Sequence, residues 1–287
     1  MINKTYLEVQ QWASSFLDKN DQEAEIAYHL MLDMADFSVS DWLVKRQQAI
    51  SAELFENYKQ AIEKVTFENY PWQYIVGKAW FYGEPFIVSP ATLIPRQETE
   101  DLVTLVANQI KKGIIPEDAR VVDIGTGSGI IAITLKMLFP KLDMTATDIS
   151  DEALAVAQKN AEQKGVNIQF KQGDLYEPLL GERFDLIISN PPYIGQDEVA
   201  VMSKSTVLYE PHQALFAAQD GYHLYCRLFD GLSLHLNTPG WFVAEFGYKQ
   251  GEHLINEVND RFKGSKANIY KDYSGNDRIL LVKNEKS

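Results

Sequence analysis

The chain has 287 residues, 45% of them hydrophobic and 23% charged, with a formal net charge of −13 at pH 7. That length favours one large domain with a smaller one attached. No apolar run reaches the ~18 residues of a membrane span, and the opening Met1-Ile2-Asn3-Lys4-Thr5-Tyr6 lacks the apolar centre of a signal peptide, so a cytoplasmic protein is expected. The single cysteine, Cys226, excludes an internal disulfide, and His29, His212, His223, His235 and His253 show no metal-ligand spacing, so no metal site is expected. The acidic balance and the lack of a long basic run weigh against a nucleic-acid substrate, which would need clustered Lys and Arg to neutralise phosphates.

From the start to about residue 67 the pattern is helical. Ala27, Leu30, Met31 and Met34 recur at helical spacing, as do Leu54, Tyr58, Ala61, Ile62 and Val65. Asn20 with Glu23, and Ser38 with Asp41, have the spacing of helix starts. Residues 1–70 are therefore expected to form a helical bundle that serves either as a substrate-docking module or as a folded appendage. From Pro71 to Pro95 aromatic and β-branched residues broken by Gly77 and Gly83 predict a hairpin linking two domains. Arg96-Gln97-Glu98-Thr99-Glu100 then opens a helix through Leu102, Val103, Leu105, Val106 and Ile110, and its charges read as a solvated helix start where acids favour the macrodipole.

After Pro116 strand and helix alternate, which predicts a parallel doubly wound sheet over residues 96–287. Arg120–Ile124 is the first strand and runs into Gly125-Thr126-Gly127-Ser128-Gly129 ahead of a helix through Ile130 to Leu138. Asp143–Thr147 is the second, ending at Asp148, and the helix from Asp151 is placed to be capped by Gly165. Ile168–Gln172 is the third, with Asp174 just beyond it. Phe184-Asp185-Leu186-Ile187-Ile188-Ser189, short and rich in branched side chains, reads as a buried central strand that stops at Asn190-Pro191-Pro192-Tyr193. Gly240–Phe246 is the fifth, and Glu245 puts another acid at the carboxyl edge. Asn268–Lys271 and Ile279–Lys283 are expected to close the chain as an antiparallel hairpin around Gly275-Asn276.

Three of these stretches carry chemistry. The glycine loop lets backbone approach a ligand and aims helix N–H groups at it. Its G-x-G-x-G pattern differs from the G-x-G-x-x-G of a pyrophosphate-binding turn. Asp148, at the end of the second strand and roughly 20 residues past the loop, is placed to accept both hydroxyls of a ribose. A nicotinamide cofactor or S-adenosylmethionine would satisfy that acid; the glycine offset and the Asn-Pro-Pro-Tyr turn favour the second, because that turn suits a nitrogen nucleophile and has no use in hydride transfer. Asp123 either orders the loop backbone or approaches the charged end of the cofactor. Asp174 is expected near the adenine, with Leu175 as one apolar wall. At the turn each proline fixes its own φ and lacks an N–H, so the carbonyls there have few local donors. Asn190 adds a side-chain acceptor and Tyr193 an aromatic face.

With these residues in view the chain resembles the HemK/PrmC family of class I methyltransferases, the release-factor glutamine N5-methyltransferases. Further matches are Gln73-Tyr74-Ile75-Val76-Gly77, Phe81-Tyr82-Gly83, Leu93-Ile94-Pro95-Arg96 leading to Glu98-Thr99-Glu100, Tyr209-Glu210-Pro211, and Asp272-Tyr273-Ser274-Gly275-Asn276-Asp277-Arg278. Two positions depart: Gln97 stands where the family usually has proline, and Leu175 where some members have tryptophan. The resemblance implies a seven-stranded Rossmann-like catalytic domain behind a small helical domain, and S-adenosyl-L-methionine as cofactor. It implies as substrate the glutamine of the Gly-Gly-Gln motif in peptide chain release factors. Gly125, Thr126, Gly127, Ser128, Gly129, Asp148, Asp174, Leu175 and Asn190 would then bind cofactor. Asn190 and the Pro191 carbonyl would hold the substrate amide, while Pro192 and Tyr193 would shape the turn and pack on the amide plane. A monomer is expected. The alternatives are an adenine N6 methyltransferase using the same turn on a flipped base and a noncatalytic interaction protein that keeps the fold.

Overall fold

The computed structural model describes residues 4–218 and 221–285. Met1–Asn3, part of the opening read above for a leader, lie outside them. The chain divides into two compact units: one runs to Lys78 and takes in Ser203–Tyr209, and the other holds Ala79–Met202 and resumes at Glu210.

In the first unit, helices α1 (Tyr6–Asp18), α2 (Ile26–Ala35), α3 (Val39–Lys45), α4 (Ala52–Glu68) and α5 (Trp72–Val76) enclose a core of Val9, Leu17, Leu30, Met31, Tyr58 and Ile62. Ser38 and Asp41 form a reciprocal capping box at the start of α3, and Thr5 and Glu8 form a second one on α1. Asn20 does not start α2, which begins after Glu25 with no side-chain cap. The chain leaves α1 through Asp21 in the left-handed region, φ 58°, and the Asn20 amide is used to close that end by donating to the Phe16 carbonyl at 2.7 Å. Trp72–Val76, expected to be extended, is a turn of helix. Pro71 supplies a helix-compatible φ of −60°, Gly77 closes the turn at φ 67°, and Trp72, Ile75 and Val76 pack on the helical core.

The hairpin follows as β1 (Lys78–Phe81) and β2 (Glu84–Ile87). Next come α6 (Gln97–Lys111), β3 (Arg120–Ile124), α7 (Ile130–Leu138), β4 (Asp143–Asp148), α8 (Asp151–Lys164), β5 (Gln169–Gln172) and β6 (Phe184–Ser189). The short helix α9 (Lys204–Tyr209) belongs to the first unit, where the Tyr209 hydroxyl donates to the Glu68 carbonyl at 2.9 Å. α10 (His212–Leu215), α11 (His223–His235), β7 (Leu236–Glu245), α12 (Gly251–Arg261), β8 (Lys266–Lys271) and β9 (Asp277–Asn284) complete the second unit. β7 begins earlier than the expected Gly240, and its pairing with β6 absorbs the extra residues at a register shift between Phe184 and Leu186.

The sheet has seven strands in the order β5-β4-β3-β6-β7-β9-β8, parallel throughout except for β9. One face packs Leu102, Val106, Ile131 and Leu135 against the strands, and the other packs Tyr225, Phe229, Leu254 and Val258. Both faces of β6 are covered, which is why its apolar run shows no alternation. The order reverses between β3 and β6, and such a switch point opens a crevice at the carboxyl ends. Register sets the level of that edge. Ile124 pairs with both Thr147 and Ser189, and Ser189 pairs with Ala244. The next residues on those four strands, Gly125, Asp148, Asn190 and Glu245, therefore stand side by side along one rim.

Candidate active site

Beyond β3 the chain must turn sharply into α7, and Gly125, Gly127 and Gly129 take φ of 74°, 56° and 83° to do so. A side chain is disfavoured at such angles, which is why glycine recurs there. Asp123, fully buried at the end of β3, accepts the Thr126 hydroxyl at 2.6 Å and so orders the loop. Of its two expected roles this is the one the geometry provides. Burial pushes the Asp123 carboxyl up to about 7; the Thr126 hydroxyl and the Ala132 N–H act against that rise, and the nearby Asp148 charge adds to it. Asn160, a buried residue of α8, donates to the Ser128 and Ile87 carbonyls and accepts from the Ile87 N–H, tying the glycine loop to the hairpin.

Asp148 faces the loop across the rim. Its carboxylate accepts the Gly127 N–H at 2.8 Å and the Ser150 N–H at 2.9 Å. Burial raises its pKa, opposed by the Ser150, Gly127 and Ile149 N–H groups. Ser150, not Asp148, caps α8, by accepting from the Ala153 N–H. Further along, the Asp174 carboxylate pairs with Arg227 Nη2 of α11 at 2.7 Å, and Leu175 sits at φ 49°, an unusual angle for a bulky side chain.

On the other side of the switch point Asn190 Nδ2 donates to Thr99 Oγ1 at 3.2 Å. Thr99 Oγ1 in turn donates to Glu245 Oε2 at 2.7 Å, and the Tyr193 hydroxyl donates to Glu245 Oε1 at 3.0 Å. The Ser189 hydroxyl holds the end of β6 to the Ile124 carbonyl at 2.8 Å. Glu245 is buried at the end of β7; desolvation raises its pKa, while the Thr99 and Tyr193 hydroxyls and the Arg278 charge pull it down. Glu210 is also buried and staples two loops at this edge, accepting the Ile94 N–H at 3.0 Å and Arg96 Nη2 at 2.5 Å.

A cavity of about 270 Å³ runs along the rim, close to the lower end of the roughly 300–1,000 Å³ of small-molecule sites. It brings together Gly125, Thr126, Gly127, Ser128, Asp148, Asp174, Leu175, Asn190 and Pro192. Gly129, Pro191 and Tyr193 do not line it. Gly129 is the N-cap of α7, and its α-carbon lies where a β-carbon would meet Ile133 Cδ1 at 2.8 Å and Ala157 Cβ at 3.1 Å, so this glycine lets α7 approach α8. Pro191 is buried, and Tyr193 turns its hydroxyl inward to Glu245 instead of presenting a ring to the cavity. Arg96 and Thr99 do line the cavity, so the start of α6 is more than a solvated helix end. Sequence reading missed Thr99, Asn160 and Glu210 as parts of the site; the acid at the end of the fifth strand was the one visible sign of the inner network.

A doubly wound sheet of this order, with a glycine loop after its first strand and an acid ending its second, defines a class I, Rossmann-like methyltransferase. The methyltransferase small domain family matches residues 99–220, and the PrmC N-terminal domain family matches residues 8–77. Among solved structures, that of the hMettl16 catalytic domain bound to an RNA hairpin superimposes with a TM-score of 0.58 at 16% identity, covering 92% of each chain, a likeness of fold. The chain belongs to the release factor glutamine methyltransferase family. It is 38% identical over 97% of its length to the release factor glutamine methyltransferase of Enterococcus faecalis, covering 99% of that protein. To that of Bacillus subtilis it is also 38% identical, covering 97% of this chain and 98% of the relative.

Proposed function

We propose that this chain methylates the side-chain amide nitrogen, N5, of the glutamine in the Gly-Gly-Gln motif of peptide chain release factors, using S-adenosyl-L-methionine. The observation that carries this reading is the setting of Asn190. Its amide nitrogen is held by Thr99, and the residue lines the same cavity as the glycine loop and Asp148.

The residues fit the cofactor. Beyond the adjacent residues in the chain, no atom lies within 4 Å of where a β-carbon would sit on Gly125 or Gly127, which leaves an open cradle of backbone at the loop. Two carboxylate oxygens offer about four lone-pair directions; the Gly127 and Ser150 N–H groups take one on each oxygen, and acceptor capacity remains for a ribose diol. Asp174, Leu175 and Arg227 would flank the base. Bound there, S-adenosylmethionine supplies an electrophilic methyl group on a sulfonium, which leaves as a neutral thioether.

An amide nitrogen is a poor nucleophile because its lone pair is delocalised into the carbonyl. Position and hydrogen-bond acceptors must therefore come from the protein. Asn190 Oδ1, the end of the amide left over by Thr99, accepts one substrate N–H. The Pro191 carbonyl, to which neither proline brings an N–H, would be the second acceptor, reached through a shift of the turn because Pro191 does not line the cavity. Held at two points, the substrate amide presents a face rather than an edge to the cofactor, and such orientation alone can remove much of a barrier. Pro192 forms the adjoining wall, and Tyr193 braces the turn from below.

The test presents labelled S-adenosylmethionine with a release factor, with its Gly-Gly-Gln→Gly-Gly-Ala variant and with bulk nucleic acid. Label on the unaltered release factor alone supports the reading; label on the variant or on nucleic acid overturns it.

A further inference from the structure

We propose that Glu245 is a positioning residue for methyl transfer: acting through the Thr99 hydroxyl, it decides which end of the Asn190 amide faces the cavity. The inference rests on the role given to Asn190 above and adds the cause of its orientation.

Glu245 is only 1% exposed and does not line the cavity, so it touches neither substrate nor cofactor. An ionised carboxylate offers lone pairs and no hydrogen. Facing it at 2.7 Å, Thr99 has one hydroxyl hydrogen, and giving that hydrogen to Glu245 leaves Thr99 Oγ1 able only to accept from its other neighbour. That neighbour is Asn190, whose Nδ2 lies 3.2 Å away. Reversing the amide would set Oδ1 against the Thr99 lone pairs, two acceptors in contact inside the protein. The oxygen of Asn190 is thereby left as the end available to a substrate N–H.

Four further groups bear on Glu245. The Tyr193 hydroxyl clamps its second oxygen at 3.0 Å. The Tyr225 hydroxyl donates to the Glu245 backbone carbonyl at 2.5 Å, which fixes the end of β7. Burial works most strongly against the ionised form, and Glu98 adds to that; the Thr99 and Tyr193 hydroxyls and the charge of Arg278, which is held by Asp272 and the Phe246 carbonyl, favour it. Helix α6, the turn after β6, β7 and β9 thus meet at one buried acid. A neutral group at position 245 would free the Thr99 hydrogen to turn toward Asn190, and the amide could then present a donor where an acceptor is needed.

The test compares wild type, E245Q, T99V, T99S and the E245Q/T99V pair. It measures kcat and KM on a release factor, the cofactor dissociation constant, and the NMR signal of the Asn190 side-chain amide. E245Q and T99V are each expected to lower kcat roughly 10- to 100-fold, the range for losing one hydrogen bond to a charged group. KM and cofactor affinity should stay within about twofold, because only orientation is lost. The pair should lose no more than the worse single variant, as expected of one relay, and T99S should recover most of the turnover that T99V loses. The hydrogen-bonded amide signal should vanish in E245Q and T99V and persist in T99S. Wild-type kcat in T99V, a loss confined to KM, additive losses in the pair, or an unmoved Asn190 signal would each overturn the proposal. If E245Q does not fold, T99V decides the matter, since it removes only the relay hydroxyl. An Asn190 signal that follows Thr99 and Glu245 in a protein that methylates no release factor would overturn the substrate reading and uphold the positioning role.

Discussion

The two halves of the rim are built differently. On the β3–β4 side the ligand-facing groups are glycine backbone and one carboxylate, and two of their contacts are local, Asp123 with Thr126 three residues on and Asp148 with Ser150 two residues on, while the Gly127 N–H reaches Asp148 across 21 residues. On the β6–β7 side each contact joins distant segments. Asn190 meets Thr99 across 91 residues, and Thr99 meets Glu245 across 146. Under the proposed function the first half cradles the cofactor with backbone and one carboxylate, and turn geometry written largely in a short stretch suffices for that. Under the same proposal the second aims one hydrogen-bond acceptor at a weak nucleophile, and a buried network assembled from α6, the turn after β6 and β7 restrains that side chain more firmly than a turn could.

Substitutions can separate the halves. The largest effect is expected for Asn190→Ala, which should lower turnover by roughly two to three orders of magnitude, as for losing one preorganised polar group, with cofactor affinity kept. Wild-type-like turnover in single-cycle kinetics would remove the acceptor side from the chemistry. Asp148→Ala should do the opposite, weakening cofactor binding by about 1.5–3 kcal/mol for a lost charged hydrogen bond while sparing the geometry around Asn190. Calorimetry that finds an unchanged dissociation constant would place the ribose elsewhere.

Gly129→Ala tests the claim that this glycine serves packing. The added carbon would sit 2.8 Å from Ile133 Cδ1 at a φ of 83°, so thermal unfolding should show a loss of about 1–3 kcal/mol. A variant that unfolds like wild type but fails to bind cofactor would put Gly129 back in the binding site.

The smallest effect per unit of change is a pH slope. Asp123 is raised from 3.8 to about 7 in the folded protein, so across that window the native state holds a proton the unfolded chain has lost. Its stabilising contribution is whole below about pH 4 and disappears as pH rises through about 7. Stability should fall by up to about 1.4 kcal/mol per pH unit from this group alone. Asp123→Asn should remove one proton's worth of that slope, leaving whatever Asp148 and Glu245, also raised by burial, contribute in the same direction. Denaturant midpoints measured from pH 4 to 8 check it; parallel curves for the two proteins would mean Asp123 ionises normally.

Much of this molecule could be read in advance. The apolar run Phe184–Ser189, the glycine loop and Asp148 were legible because each leaves its mark in a short stretch of chain: an unbroken apolar strand, a turn that needs positive φ, an acid at a strand's end. Trp72–Val76 was misread for a related reason. Its residue types favour strands, but Pro71, Gly77 and the helical core outweigh that preference.

The sequence alone determined the alternation of strands and helices after Pro116 up to the turn that ends β6, and the glycine loop within it, all properties of short segments whose own residues dictate their backbone angles. Only the tertiary structure decided that Tyr193 turns inward, that Gly129 lets two helices approach closely, and that Thr99 and Glu245 lie behind Asn190. That Asn190 and Glu245 stand at one level follows from strand register, which sets Gly125, Asp148, Asn190 and Glu245 along one edge. Register couples residues far apart in the chain, so no single stretch carries it.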